Sequence, residues 1–152
     1  MLKVERPSDL TAHAGHDLGV TDWVEVTQGK IAEFAALTGD DHWIHVDTER
    51  AARELAGGRT IVHGLFLLSL VPALQRQLFQ ISQRGMGLNY GYDRVRFTAQ
   101  VSEGARVRLH QRLVSAQQHR LGTQVFLDST IEVEGSDKPA VAARSILVIA
   151  DA

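Results

Sequence analysis

The spacing of apolar residues divides the chain into two stretches of different texture. Between residues 27 and 81 apolar positions recur at helical intervals; between 89 and 149 they alternate with polar ones. Thr27 is placed to cap a helix running to about Leu37, with Ile31, Phe34, Ala35 and Leu37 as its apolar stripe and Lys30 and Glu33 on the wet side. Gly39 then supplies a left-handed stop. Asp47 or Thr48 can cap a second short helix over 49–56, ended by Gly57 and Gly58. A third helix is predicted over 65–81, apolar on nearly every side as far as Leu74, with Pro72 as a kink and Gln75, Arg76, Gln77 and Gln80 leading out to solvent. Strands are expected over 23–26, 89–97, 105–114, 123–133 and 141–149, and residues 1–22 read as irregular.

A helix apolar all round has to be enclosed, and a strand series with short polar turns (Ser102-Glu-Gly104, His119-Arg-Leu-Gly122, Gly135-Ser-Asp-Lys-Pro139) forms an antiparallel meander with one face to bury. The pattern therefore predicts an α+β fold. Its economical form is a curved sheet wrapped around the long helix, the hot-dog arrangement, one α+β solution among several.

Composition changes this picture little. The 152 residues fit one domain, 1–152, with 44% apolar and 22% charged residues. The net charge of −2 points to neither a nucleic-acid footprint nor a polybasic membrane surface. There is no cysteine, which removes disulfides, thiolate catalysis and thiolate metal sites. No secretory h-region opens the sequence, and the apolar run 65–74 is too short to span a bilayer, so a cytoplasmic protein is expected.

Candidate chemistry collects in Phe34-Ala-Ala-Leu-Thr-Gly-Asp-Asp-His-Trp-Ile-His45 and in Ile61-Val-His-Gly64. Asp40 and His45 lie five apart in a polar loop, where a carboxylate and an imidazole can together hold and deprotonate a water. The plain alternative is that the aspartates cap a turn and the histidines are solvated. Asp40, His42, His45 and His63 also have the side chains of metal ligands, but Gly39 and the aspartates argue against the helix that His-x-x-His spacing needs, and none is expected to bind metal. Gly64 stands at the head of the apolar helix, where free N–H groups and an absent side chain allow a ligand oxygen to approach; close helix–sheet packing would need the same glycine.

Leu37-Thr-Gly-Asp-Asp-His-Trp-Ile-His45, followed six positions on by Ala51, resembles the hydratase motif of the MaoC-like (R)-specific enoyl-CoA hydratases. Ile61-Val-His-Gly64-Leu-Phe-Leu-Leu-Ser69 is similar to the start of that family's central helix, and Tyr90-Gly-Tyr-Asp-Arg-Val-Arg-Phe97 to the strand after it. The resemblance spans roughly residues 23–101 and is strongest to the short, single-hot-dog members, the nodulation-protein-N-like and mycobacterial 3-hydroxyacyl-thioester dehydratase branches. It implies reversible hydration of a trans-2-enoyl thioester carried on coenzyme A or acyl carrier protein. Asp40 and His45 would hold the catalytic water and the Gly64 N–H the thioester oxygen, with His42, His63 and Ser69 as accompanying oxyanion- or substrate-binding candidates. It further implies a homodimer joined edge to edge, and no metal or redox cofactor.

Two positions depart from the family pattern. His42 stands where Asn is usual and Trp43 where Pro is usual, so His42 is the candidate to take over the amide's contact with water. Arg94 and Arg96 share a strand face away from the core and read as solvated charges. The same fold also hosts thioesterases, which place a carboxylate on the central helix, whereas 65–74 has none, and non-catalytic acyl-thioester-binding subunits.

Overall fold

A computed structural model describes residues 1–152. The N-terminal residues, expected to be irregular, form β1 (Leu2–Val4), a 3-10 helix (Pro7–His13), β2 (Asp17–Val20) and β3 (Val24–Glu25). Short strands of this kind take their order from pairing partners elsewhere in the chain, and local sequence carries little signal for them.

Three α-helices precede the central one. In α1 (Gln28–Thr38) the Thr27 hydroxyl accepts the Lys30 N–H, and Gly39 turns the chain out at φ +79°. Ile31 and Ala35 are buried, but Leu37, expected in the same stripe, is 85% exposed. At about 100° per residue it lies well away from the Ile31–Ala35 line. The polar loop contains α2 (Trp43–Val46), a single turn absent from the sequence-based expectation. Next, α3 (Thr48–Glu54) is capped by the Asp47 carboxylate, which accepts the Arg50 N–H.

The predicted 65–81 helix is broken. It comprises α4 (Gly64–Ser69), α5 (Val71–Leu74) and a 3-10 turn (Gln75–Gln77), and the chain then enters β4 (Phe79–Ile81), paired in parallel with β1. Pro72 cannot donate to the preceding turn and crowds the carbonyl four residues back, so the break falls beside it. Phe66, Leu67, Val71 and Leu74 are buried. Leu65, Ser69, Pro72, Ala73 and Arg76 form an exposed stripe, so enclosure within one chain is only partial.

The sheet adds β5 (Gly87–Phe97), β6 (Arg106–His119), β7 (Gly122–Val133) and β8 (Val141–Ile149). Its order is β2-β6-β7-β8-β5, with β3 also along β6, and all of these pairs are antiparallel. Strands β6 to β8 form the expected meander, but β5 pairs with β8 and not with β6. The 98–105 connection leaves the sheet: Ser102 bridges Ile61, and the Val62 N–H bonds the Val101 carbonyl at 2.8 Å. Val107, Leu109 and Leu113 of β6, Val125, Leu127 and Ile131 of β7, and Val141 and Ala143 of β8 are buried. Cross-strand pairs such as Arg108–Glu132 and Arg144–Asp128 occupy positions between them, as the period of two requires. A curved antiparallel sheet around a central helix is the hot-dog arrangement. No helix is long and apolar enough to cross a membrane.

Candidate active site

Two segments distant in sequence meet at the head of α4. The Ile61 N–H donates to the Ile44 carbonyl at 2.8 Å, which ties 60–64 to α2. Gln28 reinforces the joint: its side-chain amide donates to the His45 carbonyl at 2.8 Å, and its oxygen accepts the Thr60 hydroxyl. These links shape one wall of a pocket of about 420 Å³ lined by Asp40, His45, Ile61, Val62, His63, Gly64, Leu65 and Leu67, and closed by Phe97, Thr98, Ala99, Gln100 and Ala140.

His45 is buried and its Nδ1 lies 2.5 Å from the Ile61 carbonyl. A carbonyl can only accept, so Nδ1 carries the proton and the neutral ring has its lone pair at Nε2. Asp40 is exposed; its N–H reaches the Thr38 hydroxyl and its carbonyl receives Nε2 of His63 at 2.8 Å. One side-chain donor atom from each of Asp40, His45 and His63 lies within 4.8 Å of the others. An acid and an imidazole base with a defined tautomer therefore share one pocket, the arrangement that general acid–base chemistry requires.

The same trio has the composition of a metal site, but its geometry is poor for one. The His45 and His63 rings are stacked at 3.8 Å and 21°, so their in-plane lone pairs run alongside one another, whereas a metal needs them to converge. One nitrogen of each ring is also committed to a carbonyl.

Gly64 opens α4, and its N–H, first in the helix, has no intrahelical acceptor. A Cβ at this position would stand 2.6 Å from Cδ1 of Phe97. The glycine therefore leaves room for the aromatic ring of β5 pressed against it, which is the close helix–sheet packing named as its other reason, with Phe97 as the partner. His42 and Ser69 are not among the pocket walls. His42 is exposed and its Nδ1 accepts the Ile44 N–H, capping α2, while Trp43 lies under the Arg50 guanidinium at 4.0 Å. The Ser69 hydroxyl is turned back to the Phe66 carbonyl. Phe97 and the Ile61 carbonyl, both part of the site, drew no attention as chemistry because neither is ionisable.

A larger pocket, about 550 Å³, lies at the far end of the helical segment between Gln75, Arg76 and β5. It holds Arg76 and Arg84 but no carboxylate or imidazole, so size does not locate the acid–base chemistry.

The family model for the MaoC like domain matches residues 9–135. The chain belongs to the MaoC-like family. Within it, the chain is 46% identical over 150 residues to 3-hydroxyacyl-thioester dehydratase Z of Mycobacterium tuberculosis (strain ATCC 25618 / H37Rv), covering 97% of each chain. It is 39% identical over 146 residues to Nodulation protein N of Rhizobium leguminosarum bv. viciae, covering 93% of this chain and 89% of that one. Among solved structures, the (R)-hydratase from A. caviae involved in PHA biosynthesis superposes with a TM-score of 0.71 at 25% identity, over 88% of this chain and 94% of the other. This MaoC-like chain therefore shares the hot-dog fold of a hydratase and nearly the whole length of a dehydratase.

Proposed function

We propose that the chain is a hydro-lyase that interconverts trans-2-enoyl and (3R)-hydroxyacyl thioesters, with coenzyme A or acyl carrier protein as the thiol. The observation that supports this best is the nearness of the Asp40 carboxylate, within 4.8 Å, to a His45 ring whose Nδ1 is committed to the Ile61 carbonyl, in a pocket that Gly64 also lines. In hydration, water between Asp40 and His45 gives a proton to the pair as its oxygen bonds to C3. Electron density moves from the C2–C3 double bond onto the thioester oxygen, which the Gly64 N–H stabilises. Collapse of this enolate takes the proton back from the pair onto C2, and dehydration is the reverse. No step requires a metal or redox cofactor.

The active unit in this reading is a homodimer. Strand β5 is paired only with β8, leaving an eleven-residue edge on which Leu88, Tyr90 and Phe97 are exposed, beside the stripe that begins at Leu65. An open edge of this length needs a cover, and a second β5 provides one.

Purified protein mixed with a trans-2-enoyl-CoA tests the activity. Loss of the conjugated enoyl absorbance without release of free thiol, and formation of the (3R)-hydroxy product, is the expected result. Thiol release would instead identify a thioesterase, and silence across all chain lengths a binding subunit. Light scattering on the eluting protein checks for twice the 16.7 kDa of one chain.

A further inference from the structure

His45 and His63 make the same contact in opposite directions. His45, on the 40–45 segment, gives its Nδ1–H to the Ile61 carbonyl on the 60–64 segment. His63, on the second segment, gives its Nε2–H to the Asp40 carbonyl on the first. Between these crossed bonds the two rings lie face to face, and Phe34 packs against His63 at 4.9 Å, tilted by 54°.

His63 is costly to keep. It is 2% exposed, and its Nδ1 is buried with no partner. An apolar side chain would fill the same space without an orphaned polar atom, so packing alone does not account for an imidazole here. Its Nε2–H is given instead to the Asp40 carbonyl, on a segment 23 residues away in sequence. What the bond does supply is position. Asp40 follows the left-handed Gly39, and its own N–H reaches only the nearby Thr38 hydroxyl at 3.3 Å. The His63 bond is the long-range tie on the peptide that carries the carboxylate.

We infer that His63 is a positioning residue for the hydration reaction: its Nε2–H fixes the Asp40 peptide, and its ring face sets the plane of His45, so that carboxylate and imidazole meet at one water. The inference rests on the hydratase reading above and adds to it a group that acts through the other two. Misplacing a reacting group by about 1 Å can cost on the order of a hundredfold in rate, which sets the scale expected.

Three substitutions separate donor from wall. His63→Ala removes both, His63→Phe keeps a ring face without a donor, and His63→Gln keeps an amide N–H near the Nε2 position without the ring. With a trans-2-enoyl-CoA, His63→Ala is expected to lower kcat roughly tenfold to a hundredfold with KM within about threefold. His63→Phe stays low, and His63→Gln recovers part of the loss, with melting temperatures recorded for each. Wild-type kcat in folded His63→Ala or His63→Phe, a rise in KM at unchanged kcat, or a Gln variant no better than Ala would overturn the inference. A second readout needs no turnover: nitrogen-15 NMR of the wild type should show a slowly exchanging N–H at His63 Nε2. An active wild type without that proton overturns the positioning role alone. A wild type inactive on every enoyl thioester overturns the hydratase reading and, with it, the catalytic half of the inference.

Discussion

The protein has two buried polar clusters, and they differ in what their polar atoms reach for. Under the 3-10 turn after α5, Gln111 of β6 donates to Gln75 at 3.0 Å and to Ser129 of β7 at 2.8 Å, and Ser129 meets Ser145 of β8 at 3.0 Å. At the head of α4, His45 and His63 bond to backbone carbonyls of each other's segments. Each cluster leaves one atom unsatisfied, Oε1 of Gln111 and Nδ1 of His63. The first joins side chain to side chain inside a paired sheet, whereas the second fixes irregular backbone beside a pocket. Buried polarity in the sheet is expected to tolerate exchange for apolar volume, whereas in the proposed reaction the buried polarity beside the pocket holds the reacting groups in place.

The strongest way to break this comparison is at the reacting pair. Asp40→Asn and His45→Gln are each expected to lower kcat by about 10²–10⁴ while the protein still melts cooperatively, as judged by steady-state kinetics and circular dichroism. Folded variants with full activity would remove the distinction between the clusters.

Gly64→Ala tests the wall opposite. Its new methyl meets the Phe97 ring, and overpacking of this kind typically costs about 1–3 kcal/mol. Because Phe97 is 51% exposed and can swing aside, the low end is expected, with a loss in kcat/KM that Phe97→Ala in the same chain restores. No restoration would mean that the glycine serves something other than the aromatic contact.

In the sheet cluster, Gln111→Ala should cost about 1–3 kcal/mol in denaturant unfolding, whereas the similarly sized Gln111→Met stays within about 1 kcal/mol of wild type. Neither should alter kcat per folded molecule. A catalytic defect in Gln111→Met would show that the two clusters are coupled.

The smallest effect is expected at a polar contact open to water. The Asp17 carboxyl is held below its ordinary value first by the Gly19 N–H and then by its hydrogen bond to His110. A depressed carboxyl contributes stability above its unfolded pKa, and that contribution is lost as pH falls through the folded value. Asp17 is exposed and screened, so Asp17→Asn should destabilise by less than about 1 kcal/mol near neutrality, with the difference vanishing at strongly acid pH in urea titrations.

Much of the fold was legible before any coordinates. The strand periodicities of the meander, the Thr27 cap and the Gly39 stop are local signals, and local physics carried them into the structure. The motif residues around Asp40, His45 and Gly64 were legible as a resemblance, and spacing alone left them between catalysis and ordinary turn chemistry. The single turn of α2 was missed because its cap, His42, is an unusual one and its four residues carry no period.

By itself, then, the sequence determined the three long meander strands, the helix that Thr27 caps, the absence of cysteine thiols and the candidate acid and base. Only the tertiary structure decided that β5 lies beside β8, that Phe97 presses on Gly64, and that His63 reaches back to the Asp40 carbonyl. Each of these depends on bringing together residues far apart along the chain. Such contacts leave no periodicity in either segment, because what selects them is the shape and hydrogen bonding of the assembled whole.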